Sequence, residues 1–148
     1  MPADYIVVVD TDIFSALYIT PELAERRGRP VAVWRAALVG ARVVISFQTK
    51  AEVLAGIRGS SWGESRTTSA MLELDRFPTI PADRSVVDAF ATLSAACRRA
   101  GHALHDKIHT ADRWVAASAV AKQLPLIARD GIYVGAPGLT LWEGATNV

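Results

Sequence analysis

An α/β fold, with a mainly parallel central sheet and helices on both faces, is predicted by three observations. Short β-branched runs alternate with longer helical patterns along the chain. The clearest runs are continuously apolar, as strands covered on both faces require. The helical stretch 111–122 is apolar on nearly every side after its first turn, which suits a central helix.

The elements follow in order. Residues 5–9 form a buried strand that Asp10 closes, and Thr11 or Asp12 is expected to cap the short helix after it. Thr20-Pro21-Glu22 opens a second helix that Gly28 ends. A third helix runs from Pro30 to Gly40. Residues 42–46 are a strand, followed by helices over Lys50–Ile57 and 64–75. Phe77–Ile80 is a short strand between prolines. Val86, Phe90, Leu93 and Cys97 stand at helical spacing in a helix over 83–99 that Gly101 terminates. Residues 102–109 are a polar loop carrying His102, His105 and His109, expected at the surface. Pro125 breaks the helix over 111–122, and strands are expected at 126–128 and 139–142.

Length and composition narrow the possibilities. The 148 residues make about one domain, able to bury a core without staples. A net charge of +1 favours no partner, so any nucleic-acid contact needs basic groups gathered locally. Cys97 is the single cysteine, which rules out an intrachain disulfide; on a helix face it reads as a buried, inert thiol. No signal peptide and no apolar run long enough to span a membrane is seen, so a cytoplasmic location is expected.

Four carboxylates gather at the ends of these segments. Asp10 ends the first strand, Glu52 lies one turn beyond the second, Asp112 opens the apolar helix and Asp130 follows the strand at 126–128. Each alone has a structural explanation as a cap, a solvated helix position or a turn residue. In one parallel sheet all four fall on the carboxyl rim, where open α/β sheets hold their ligands. Two carboxylates about 4 Å apart repel by roughly 4 kcal/mol at an effective dielectric near 20. Such a cluster protonates, scatters into water or binds a cation. Oxygen donors without His or Cys select a hard ion, Mg²⁺ or Mn²⁺. Such an ion can activate water against a phosphodiester.

Four segments resemble the PIN-domain ribonucleases of the VapC toxin type: Val8-Val9-Asp10-Thr11-Asp12, Ile45 to Val53, Ala111 to Ala119 and Leu124 to Asp130. They occur in that family's order across nearly the whole chain. The resemblance implies one PIN-like domain over 1–148, a three-layer α/β/α sandwich. It also implies a Mg²⁺-dependent endoribonuclease that forms homodimers and pairs with an antitoxin. Asp10, Glu52, Asp112 and Asp130 match the family's acidic quartet, and Thr11 the hydroxyl residue after its first acid. The sequence departs at Ala128, where that family often has Thr.

On this reading Asp10 and Asp112 hold the ion directly, Asp130 directly or through water, and Glu52 through water or at a second ion. Asp12 either faces the site or caps the following helix, with the cap favoured. Lys50, Arg58, Lys107, Arg113 and Arg129 are the candidate contacts to RNA phosphates, with the run Arg26-Arg27-Gly28-Arg29 as a further one. Trp34 and Trp114 read as core, and Trp62 as the exposed aromatic. Phe14, Leu17, Leu23, Val33, Leu54 and Leu72 could line an antitoxin groove or simply pack. Two rivals remain. Asp10-Thr11-Asp12 imitates the nucleophile of haloacid-dehalogenase phosphatases, though Phe14 stands where that motif wants Thr or Val. The other rival is an inert interaction domain.

Overall fold

A computed structural model describes residues 5–144. Four parallel strands, β1 (Tyr5–Val9), β2 (Ala41–Ser46), β3 (Thr79–Ile80) and β4 (Leu126–Ile127), form one sheet in the order β3-β2-β1-β4. Val7 pairs with Val43 and Val8 with Val44 on one side of β1, and Val8 with Leu126 on the other. The chain leaves β1 toward β2 and returns to the opposite side of β1 only at β4. The carboxyl ends of β1 and β4 therefore flank a topological switch point, where such sheets open a crevice.

Period-two alternation sorts the strands between two cores. Val7 and Val9 face one layer with Ile45 and Ile127, while Val8 and Leu126 face the other. The first layer holds α1 (Thr11–Phe14), α2 (Pro21–Arg26), α3 (Val31–Ala37), α4 (Phe47–Gly59) and α5 (Glu64–Asp75). The second holds α6 (Arg84–Ala100) and α7 (Thr110–Ala121). This is the predicted three-layer α/β/α sandwich. Cys97 is buried beneath α6, as expected, and burial pushes its thiol pKa up. Among the described residues no helix is long and apolar enough to cross a membrane.

Several boundaries differ from the sequence reading, each for a local reason. Asp10, not Thr11 or Asp12, caps α1: its Oδ1 accepts from the Ile13 N–H at 3.0 Å. Beyond Phe14 the helix widens into a π turn over Ser15–Ile19. α4 starts three residues early because Ser46 caps it, its Oγ accepting from Gln48 N–H. Phe77 does not join β3; its ring packs edge-on to Phe14 and against Tyr18. The strand expected at 139–142 is reduced to a single bridge between Leu141 and Leu126, following the turn at Pro137-Gly138. The histidine-bearing loop folds into two 3₁₀ turns, Ala103–His105 and Lys107–His109.

Two buried polar contacts fix α7 against the rest. Ser118 donates to the Trp114 carbonyl, so its Oγ accepts from Ser46 at 2.8 Å, joining α7 to the end of β2. Arg113 is buried, with Nη1 donating to the carbonyls of Leu104 (2.7 Å) and Asp106 (3.3 Å) and its guanidinium 4.8 Å from the Phe90 ring centre. Among the described residues its Nε has no hydrogen-bond partner. Arg113 thus holds the 3₁₀ turns against α7 from inside the protein and is not placed to meet RNA, which corrects its assignment as a phosphate contact. Trp114 is half-buried, stacked on Phe90 at 3.8 Å. Trp34 is core, and Trp62 is half-buried under the Arg66 guanidinium rather than exposed. Arg113→Met, which keeps the stem but strips the donors from two carbonyls, should lower stability by about 2 kcal/mol in urea denaturation.

Candidate active site at the carboxyl rim of the sheet

The site begins with Asp10. Tyr5 and Ile6 at the start of β1 are exposed, against the wholly buried strand expected, but Val7–Val9 are buried on both faces, so the residue that ends the strand is carried to the rim almost without exposure, 4 % accessible. Burial pushes its carboxyl up to about 7. The Ile13 N–H opposes this rise, the charges of Asp12 and Asp112 add to it, and the Arg129 N–H opposes it again. Asp12 is exposed in the first turn of α1, with its Oδ2 3.8 Å from Arg129 Nε. It faces the site instead of capping the helix.

Asp112 occupies the first turn of α7, a position the helix dipole favours for an anion. Both its oxygens are engaged: Oδ1 accepts from the Tyr133 hydroxyl at 3.2 Å, and Oδ2 lies 3.2 Å from His109 Nδ1. Tyr133 is buried on the 3₁₀ turn Gly131–Tyr133 after β4. Burial above all, then the charges of Asp112 and Asp10, the hydrogen bond to Asp112 and the charge of Glu52 push its phenol far above the ordinary value. Tyr133 therefore remains a donor, and three carboxylates act on its hydroxyl. Asp112 touches that hydroxyl, and Asp10 and Glu52 are near enough for their charges to act on it.

Glu52 is exposed on α4, where Gln48 one turn earlier donates to its Oε1 at 3.0 Å. The Thr11 hydroxyl donates to that of Thr49 at 3.0 Å, tying α1 to the same helix; Thr49 is wholly buried. Asp130 is exposed on the same rim, and its Oδ1 accepts from Ile132 N–H. It is not among the charges that raise Asp10 or Tyr133. Of the basic candidates, Arg129 borders the site. Lys50 is half-buried at 4.0 Å from Asp75. Arg58 is exposed six residues beyond Glu52, roughly 9 Å further along the helix. Lys107 is exposed.

Of the histidines, His102 bridges backbone, with Nδ1 accepting from Leu104 N–H and Nε2 donating to the Val134 carbonyl. His105 pairs with Asp106. His109 alone reaches the acids. Tyr133 escaped the sequence reading, and His109, expected in a surface loop with the other two histidines, instead touches Asp112. The one faint signal for Tyr133 is its position three residues after Asp130, one 3₁₀ turn on.

The PIN domain family matches residues 7–135. The chain belongs to the PIN domain family. The match leaves the phosphatase alternative without support. The fold of this PIN domain is similar to that of several solved toxin–antitoxin structures. VapBC2 from Rickettsia felis, bound to a DNA fragment from its promoter, superposes with a TM-score of 0.68 at 19% identity, covering 92% of this chain and 96% of that one. VapBC-1 from nontypeable Haemophilus influenzae gives 0.67 at 21%, covering 94% and 97%. VapBC-5 from Mycobacterium tuberculosis gives 0.61 at 20%, covering 92% and 96%. No curated protein matches the sequence.

The donor set of this PIN domain suits a hard cation. Asp10 is desolvated beside two further negative charges, a state that a divalent ion relieves. Among the described residues no three acidic, His or Cys side chains form a ready-made cage. Mg²⁺ does not require one, since it keeps several waters and is held through one or two carboxylates.

Asp10 also couples stability to pH. Its folded value of about 7 lies above the ordinary 3.8, so its favourable contribution is complete below about pH 4 and is lost as pH rises through 7. Metal-free protein should lose up to about 4 kcal/mol across that window. Asp10→Asn should flatten the decline, as read by urea midpoints at pH 5 and 7.5.

Proposed function

We propose that this PIN domain is a Mg²⁺-dependent endoribonuclease, the toxin of a VapC-type toxin–antitoxin pair. Family membership makes nuclease the coarse reading. The observation that supports the finer one is the buried, raised Asp10 beside the charge of Asp112, whose carboxylate Tyr133 and His109 hold from two sides. Exposed acids with ordinary surroundings would serve solubility; a desolvated acid beside two others is costly unless it has a use.

Asp10 and Asp112 would hold the ion, with Asp130 on the same rim as a direct or water-mediated ligand. Mn²⁺ suits the same oxygen donors. The ion, when bound, supplies charge neutralisation at phosphate oxygens and a more acidic water. Tyr133 and His109 fix the rotamer of Asp112 by engaging its two oxygens. Glu52 has Oε1 held by Gln48, which orients Oε2 to position the attacking water and take its proton. Cleavage leaves a 5′-phosphate and a 3′-hydroxyl. Arg129 stands where it can meet a phosphate of the strand, with Lys50 and Arg58 along α4.

The antitoxin partner is supported by the likeness to VapBC complexes. Val33 on α3 and Leu72 on α5, each 65 % exposed, are available to a partner's apolar side chains, whereas Phe14 and Leu17 are core. Homodimerisation belongs to the same proposal.

The decisive experiment is cleavage of mixed RNA with Mg²⁺ and with chelator. Cleavage should require the ion and fall more than ~100-fold in Asp10→Asn and Asp112→Asn, exceeding the effect of an outer hydrogen-bond partner. Tyr133→Phe should reduce it about tenfold without abolishing it. Equal cleavage by wild type and Asp10→Asn would remove the mechanism.

A further inference from the structure

Beside the acids lies a pocket of opposite character. It has a volume of about 140 Å³ and opens between the π turn after α1, the turn joining α2 to α3, and the end of β4. Arg27, Arg29 and Arg129 line it, together with Asp12, Ser15 and Thr20, and Trp34 and Leu23 are among its apolar walls. Three guanidinium groups and one carboxylate leave this small space with an excess of two positive charges, in a chain whose total is +1. Among the described residues, neither the Arg27 nor the Arg29 side chain has an ion-pair or hydrogen-bond partner. Both come from a turn that Gly28 makes possible with a φ of 73°.

The pocket and the acids are joined through one residue. The backbone N–H of Arg129 acts on the Asp10 carboxylate, while its side chain borders the pocket with Nε 3.8 Å from Asp12. Asp12 and Arg129 thus belong both to the surroundings of Asp10 and to the pocket lining. Guanidinium forks match phosphate oxygens in geometry as well as charge, and the Ser15 hydroxyl adds a neutral donor, while that of Thr20 donates to the Ser15 carbonyl at 3.4 Å.

We propose that the pocket lined by Arg27, Arg29 and Arg129 is a phosphate subsite that seats an RNA backbone phosphodiester adjoining the one to be cut. The inference rests on the nuclease reading for the identity of the strand. It explains why arginines gather beside an acidic rim in a nearly neutral protein. The subsite positions the substrate and reads no base.

The test is fluorescence anisotropy of a short labelled single-stranded RNA across a KCl series, with cleavage kinetics in parallel. Arg27→Gln/Arg29→Gln should weaken binding about tenfold at low salt and make the slope of log affinity against log salt shallower by about 0.7, one phosphate's share. KM should rise more than kcat falls. Arg27→Lys/Arg29→Lys, which keeps the charge, should recover most of the slope, and this recovery separates loss of contact from misfolding. The control Arg98→Gln/Arg99→Gln removes the same charge at the end of α6 and should leave the slope unchanged. Equal slopes in wild type and Arg27→Gln/Arg29→Gln would overturn the subsite. So would normal RNA binding together with lost affinity for an acidic antitoxin peptide, which would assign the pocket to a protein partner. Wild-type protein that binds RNA through these arginines but cleaves none would overturn the nuclease reading alone and uphold the subsite.

Discussion

A carboxylate at the end of a doubly covered strand has nowhere to go. The carboxyl half of β1, Val7–Val9, is buried on both faces, so Asp10 emerges from it with almost no water to solvate its charge. Two backbone N–H groups, from Ile13 and Arg129, offset part of the cost, and the negative charges of Asp12 and Asp112 add to it. A protein that only needed a helix cap here has cheaper choices, since Ser or Asn caps a helix without charge. The neighbouring features depend on this constraint. α7 brings Asp112 by its first turn, Tyr133 and His109 hold that carboxylate from two sides, and α4 brings Glu52. A cation would turn the repulsion among these groups into binding energy, which is the physical basis of the proposed metal-dependent site.

The surrounding structure serves the rigidity of that rim. The Ser46–Ser118 contact joins the end of β2 to the middle of α7, and Arg113 braces the turns before α7. Thr11 and Thr49 join α1 to α4 across the same face. The three helices that carry the acids are therefore cross-connected by buried or half-buried polar contacts near the site. Such contacts are directional, so they fix relative position more sharply than apolar packing does.

The layered fold was legible because its signals are periodic and local. Continuous Val-Val-Val and Val-Val-Ile runs read as covered strands, and α6 announces itself by apolar spacing and the Gly101 that ends it. The rim was legible because parallel topology sends every strand's end to one side. Less was visible where tertiary contacts decide. Arg113 looks like any basic residue beside an acid, yet carbonyls brought near by the 102–109 turns draw it inside. Asp10 and Asp12 have similar cap credentials in sequence, and only the exit direction of β1 chooses between them. Tyr133 gains its place from a 3₁₀ turn with no strong sequence signature. The Arg27–Arg29 turn meets Arg129 through about 100 residues of intervening chain, beyond any local pattern.

The central claim is that Asp10 belongs to a cation site and is not merely a strand-end cap. Titration of the protein with Mn²⁺ at neutral pH, with free ion followed by electron paramagnetic resonance, addresses it without reference to any RNA. Wild-type protein should remove Mn²⁺ from solution at a saturable site, Mg²⁺ should displace it, and Asp10→Asn should lose the site while remaining folded. Indistinguishable Mn²⁺ curves for wild type and Asp10→Asn would contradict the account.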